Sequence, residues 1–205
     1  MKKSKIAVLA LCGLLTCGGA IGGAYALYSG YTQDVENTFT IKAGSSNETD
    51  PDKVGTVKED KWDPDNADDL APNQIVDKNP VFTSNAEYEA YVIIKVDVPT
   101  VTMRLSGETN AAVHDAVTLV DVDYDNWEQL DFRVSDTAGT DSVYYFGYLN
   151  TLSKGQNTTE LFQAIQVPDI DELTDNFTDS VDVSATIIQA EGYGSVSDAF
   201  EALGL

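Results

Sequence analysis

The chain is expected to be all-β, a sandwich or barrel with one or two short helices, preceded by a cleavable signal helix. Three observations point this way. Short stretches rich in β-branched and aromatic residues alternate apolar with polar side chains, and Gly, Asn, Asp and Pro turns separate them. The sequence also opens on the basic, apolar and small-residue order of a secretory leader.

In that leader, Lys2, Lys3 and Lys5 precede an apolar run over residues 6–21, followed by Gly22, Gly23, Ala24, Tyr25 and Ala26. Ala24 and Ala26 form an A-x-A site that places cleavage before Leu27, so residues 1–26 are the signal peptide. As a transmembrane anchor the run is marginal, because a bilayer core asks for about 20 mainly apolar residues and glycines and Thr16 dilute this one. Cys12 and Cys17 both lie in the leader. The mature chain therefore carries no disulfide, although an oxidising destination would permit one, and packing must hold it together. Cys17 also offers a second processing route, acylation after Thr16, a bulkier residue than usually precedes a lipidated cysteine.

Removing residues 1–26 takes away three of 12 basic residues and none of the 34 acidic ones, which leaves nine against 34 and moves the charge from −22 to −25. Nucleic acid and anionic lipid would be repelled, so the membrane is met only through the leader before cleavage. Divalent cations, basic partners and salt would relieve the self-repulsion. The remaining length of about 180 residues suits one domain with a sizeable core. Its content of Val, Ile, Phe and Tyr argues against disorder.

Along the chain, Val35, Asn37, Phe39 and Ile41 alternate with Glu36, Thr38, Thr40 and Lys42, a strand period within an amino-terminal segment spanning 27–43. Residues 44–205 form the sandwich domain. They begin with an acidic loop insertion over about 44–72, where Asp50, Asp52, Asp60, Asp63, Asp65, Asp68 and Asp69 crowd around the few apolar residues Val54, Val57 and Trp62. Strands are expected at 74–78, 81–83 and 88–98. In the last of these, Tyr91, Ile93, Lys95 and Asp97 oppose Ala90, Val92, Ile94 and Val96, the pattern of a central strand. Further strands fall at 100–105, 116–122, 129–134, 142–149, 161–167 and 181–189. One short helix is expected from Thr158 or Thr159. A second follows Ser195, whose hydroxyl would cap a turn carrying Asp198 while Val196, Phe200 and Leu203 dock on the sheet.

The chemistry an enzyme needs is sparse. The mature chain has no cysteine and a single histidine, His114, read as a loop residue between Val113 and Asp115. It contains neither H-E-x-x-H nor G-x-S-x-G, and the chain is expected not to be an enzyme, with no cofactor. Calcium is the one ligand with any support. Asp63, Asp65, Asp68 and Asp69 form one oxygen-rich loop, and Asp121, Asp123 and Asp125 would share one face of a strand. Neither cluster has the EF-hand glycine and glutamate, so solvated acidic turns are the plainer reading. Tyr144, Tyr145, Phe146 and Tyr148 suit carbohydrate stacking or a core strand, and the strand is preferred.

Four stretches, in order, carry a family resemblance. They are the opening from Gly22-Gly23-Ala24-Tyr25-Ala26-Leu27-Tyr28 to Asn37-Thr38-Phe39-Thr40-Ile41, and Val76-Asp77-Lys78-Asn79-Pro80-Val81 with Glu89-Ala90-Tyr91-Val92-Ile93-Ile94-Lys95-Val96. Then come Tyr144-Tyr145-Phe146-Gly147-Tyr148-Leu149 with Thr158-Thr159-Glu160-Leu161-Phe162, and Val183-Ser184-Ala185-Thr186-Ile187-Ile188-Gln189-Ala190-Glu191-Gly192-Tyr193. Together they resemble the TasA/camelysin family of biofilm-matrix and surface proteins, which are exported through a SipW-type signal peptidase. The acidic insertion and the lack of a long carboxyl-terminal extension depart from it.

The resemblance implies a jelly-roll-like two-sheet sandwich, secreted to the extracellular matrix or cell surface of a Gram-positive-type bacterium. It implies self-association into fibres by exchange of a donor strand bearing Val35, Asn37, Phe39 and Ile41, with an accessory or anchoring matrix protein as a further partner. A strand can fill a groove in its own sheet or a neighbour's with the same ladder, and head-to-tail exchange generates filaments because it does not close. A monomeric surface adhesin or binding module, with calcium as its candidate ligand, is the alternative. A secreted hydrolase using His114 is a more distant one.

Overall fold

A near-continuous run of β-branched residues, flanked by turns, builds the longest element, strand β5 over Ala90–Leu105. The computed structural model describes residues 29–31, 53–67, 70–174 and 177–204. Around β5 they form β1 (Ser29–Tyr31), β2 (Gly55–Lys58), β3 (Ile75–Asp77), β4 (Val81–Ser84), β6 (Ala112–Asp115), β7 (Thr118–Val120) and β8 (Trp127–Arg133). After these come β9 (Asp141–Tyr148), β10 (Ala164–Gln166), β11 (Ile170–Leu173), β12 (Asp182–Gln189) and one helix, α1 (Val196–Leu203).

The main sheet runs β1-β12-β5-β9-β8, with β6 and β11 pairing the far half of β5. Against it lie two smaller sheets, β3-β10-β7 and β2-β4. Alternation sets the layers. Val92, Ile94 and Val96 of β5 and Val183, Ala185 and Ile187 of β12 point into the principal core, where they meet Phe82, Val76, Ile165, Leu161 and Phe162. Tyr91 and Ile93 point the other way and join Tyr145 and Ile188 under Val196 and Ala199 of α1. Further along that second face the apolar pattern stops, and Lys95 and Asp97 form an ion pair of 2.6 Å. The all-β sandwich expected from the sequence is therefore the fold.

The helix forms as its cap residues dictate. Ser195 is extended and accepts a hydrogen bond from the Asp198 amide at 3.1 Å, while Gly204 closes the other end with a left-handed φ of 66°. Gly147 of β9 leaves room for it, since a Cβ there would sit 2.6 Å from a Val196 methyl.

Several expectations are corrected. Residues 88–98 and 100–105 are one strand, not two. Pro99 lies where β5 changes neighbours: β12 pairing ends at Asp97, β9 pairing at Pro99, and β6 pairing begins at Thr100. A missing amide is tolerated at such a handover. The stretch read as part of an exposed insertion contains β2, which pairs with β4, and both Val57 in that strand and Val54 just before it enter the core. No helix starts at Thr158 or Thr159. That segment has no regular secondary structure, and Thr158 Oγ1 caps no helix but accepts a hydrogen bond from the Phe82 N–H of β4 at 3.0 Å. His114 lies in a strand, β6, opposite Val101.

Candidate functional site

An exposed sheet edge is the feature most able to bind another chain, because its backbone donors and acceptors form a ready template. Here the edge of the main sheet is formed by β1 on β12, antiparallel, with Ser29 opposite Ile188, Gly30 opposite Ile187 and Tyr31 opposite Thr186. The partner strand is well anchored: Val183, Ala185, Ile187 and Ile188 of β12 are all buried. Val35, Asn37, Phe39 and Ile41, expected to form the strand, and Ala24, Ala26 and Leu27, expected to mark cleavage, lie outside the described residues. The strand that is described begins earlier, shortly after position 26. Its own sequence gives little signal, since three residues with a central glycine show no apolar period.

The acidic clusters are less open than their composition suggests. Asp63 accepts hydrogen bonds from the Asp65 amide at 3.1 Å and from Asn66 Nδ2 at 3.0 Å, capping a short 3-10 turn over Pro64–Asn66. Asp68 and Asp69 lie outside the described residues. Asp121, Asp123 and Asp125 do not share a strand face, because β7 ends at Val120 and Asp121 turns the chain with a φ of 54°. Asp123 Oδ2 accepts from Thr159 Oγ1 at 2.7 Å and Asn126 Nδ2 at 2.9 Å. The Thr159 bond foremost, then that from Asn126, holds its carboxyl below the usual range. Among the described residues no three His, Cys, Asp or Glu side chains converge as a metal site.

Strand geometry also separates His114 from the hydroxyl groups nearby. Neighbouring side chains in a strand point to opposite faces. His114 Nε2 lies 3.1 Å from Glu108 Oε2, whereas Asp115 accepts hydrogen bonds from Ser142 Oγ at 2.5 Å and from the Tyr144 hydroxyl. Burial, reinforced by Asp115, pushes the Tyr144 hydroxyl well above its ordinary pKa. Tyr145, Phe146 and Tyr148 are buried, as a core strand requires.

A further constellation was not anticipated. Lys78 Nζ lies 2.7 Å from Glu59 Oε2, with the two side chains 0% and 3% exposed. The Trp62 ring covers the ammonium, its centroid 5.0 Å away. Burial pushes Glu59 up and Lys78 down, each opposed by the other's charge. Beside them Asn79 accepts from the Lys61 amide at 2.8 Å and donates to Glu160 at 3.1 Å, while Lys61 bridges to Glu160 at 2.8 Å. A lysine and a glutamate 19 residues apart give no motif, and the fold brings the segments together.

Compared with protein families, curated proteins and solved structures, the chain matches none. The described geometry thus offers a strand-bearing sheet edge, acidic turns already engaged in hydrogen bonds, and one dry ionisable pair.

Proposed function

We propose that the chain is a secreted structural subunit of an extracellular biofilm-matrix or surface fibre, polymerising after leader removal by exchange of its amino-terminal segment between copies. The observation that carries this reading is the antiparallel pairing of β1 with β12 at the sheet edge, only a few residues beyond Ala26. A strand added at an edge makes the same ladder bonds whether it arrives from its own chain or from the next. A leader held in the membrane restrains that segment, and cleavage releases it. Exchange in one direction is heterologous and grows a filament. The family resemblance supports the same reading.

Electron microscopy and size-exclusion chromatography of two proteins, one starting at Leu27 and one starting at position 44, test it. The first should form filaments and the second should stay monomeric, as should a full-length mature chain carrying Phe39→Asp and Ile41→Asp. If the Leu27 protein remains monodisperse across salt, pH and calcium, the fibre reading fails.

A further inference from the structure

We infer that the buried Lys78 and Glu59 side chains become joined by an amide bond between Lys78 Nζ and the Glu59 side-chain carbonyl carbon, an internal cross-link formed after folding. Such a cross-link does not depend on the fibre reading. The geometry favours it: nitrogen and carboxyl oxygen are 2.7 Å apart with both side chains sealed from solvent. That contact sets the carboxyl carbon near the roughly 3–3.5 Å of a near-attack arrangement. The two groups come from separate segments, Glu59 just after β2 and Lys78 just after β3, and the packed core holds them together without help from either side chain.

Amines and carboxylic acids do not condense in water because both are ionised and strongly solvated. A dry site reverses each obstacle. Burial favours the neutral amine and the neutral acid, which are the nucleophile and electrophile that condensation needs. An ion pair so deeply buried carries a large desolvation cost for each ion, and a neutral amide removes both charges. Atoms and charges balance across the step. A proton passes from the ammonium to the carboxylate, the amine lone pair forms the Nζ–Cδ bond, and the Cδ–Oε bond breaks. The departing oxygen takes a second proton from the nitrogen and leaves as water. Asp182, at the start of β12, carries a further charge that acts on Lys78 and weakly opposes the neutral amine. The Trp62 ring over Lys78 shields the product from hydrolysis. Cross-linking would fasten the acidic stretch between β2 and β3 to the sandwich, in a chain whose cysteines are confined to residues 12 and 17.

Intact-mass measurement of the wild-type secreted chain, unfolded after purification and assigned from its own amino terminus, tests this. The expected mass is lower than the sequence mass by one water, with residues 59 and 78 recovered in a single branched peptide after proteolysis. Lys78→Arg and Glu59→Ala should both restore the full mass. Wild-type protein that keeps its full mass after prolonged incubation overturns the inference. So does a water loss that maps to any carboxyl other than Glu59. Both of these measurements use wild-type protein and decide the matter even if a variant fails to fold.

Discussion

Thr159 shows how one hydroxyl organises several elements. It accepts a hydrogen bond from the Trp127 indole at 3.2 Å and donates to Asp123 at 2.7 Å, so a buried aromatic ring and an acidic turn share one partner. Asp123 is held below its ordinary value of 3.8, first by Thr159 and then by Asn126. A carboxyl with a depressed folded pKa contributes stability at pH values above its unfolded value, and that contribution is lost as pH falls through the folded one. Thr159→Val is therefore expected to raise the Asp123 pKa towards the ordinary value, read by NMR titration of its carboxyl carbon. At pH values above the ordinary aspartate range the variant should be less stable than wild type by about 1 kcal/mol, with the gap narrowing as the pH falls through the pKa of Asp123 in the folded wild type; an unchanged gap in urea unfolding above and below that pKa would show that the carboxylate is not involved. Lys78 makes the opposite point about single residues. As a lysine at the end of a predicted strand it had every reason to be solvated, and no spacing in the sequence announces that Trp62 and Glu59 enclose it.

Elements were legible where one strand face is buried and the period of two is written plainly. Ala90, Val92, Ile94 and Val96 against Tyr91 and Ile93 gave both faces of β5 correctly, because each side packs on a different apolar cluster. The helix was legible from its ends, Ser195 and the apolar Val196, Phe200 and Leu203. Removing the cap by Ser195→Ala should cost about 1 kcal/mol, measured by urea unfolding. Gly147→Ala should cost about 1–3 kcal/mol by overpacking and lift the helix, seen as faster amide exchange over residues 196–203. What stayed hidden were elements defined by their partners. Val54 and Val57 sit in an acid-rich stretch, β6 contains the polar His114 and Asp115, and β1 has three residues; each is a strand because a neighbour's ladder is available. The edge can be read directly by placing cysteines opposite each other at Tyr31 and Thr186. Oxidised filaments should yield ladders of linked chains on non-reducing gels, whereas a strand that stays at home gives cross-linked monomers only.

At the scale of the whole molecule, charge opposes the proposed assembly. With residues 1–26 removed, nine basic residues face 34 acidic ones, a net charge of −25. Each added subunit must approach others of the same sign, and the repulsion reaches about 30 Å at 0.01 M ionic strength but only about 8 Å at 0.15 M. Filament growth should therefore be slow in dilute buffer and rise steeply with salt, because strand exchange is local and the repulsion is not. Divalent cations should accelerate it further through general screening. Asp63 and Asp123 already accept hydrogen bonds, and Asp121, Asp123 and Asp125 do not share a strand face. Growth followed by light scattering, with filaments confirmed by electron microscopy, is expected to respond alike to magnesium and calcium at matched ionic strength. A response to calcium that magnesium does not reproduce would mark those aspartates as ligands, and growth indifferent to salt would mean that the negative surface lies away from the contact.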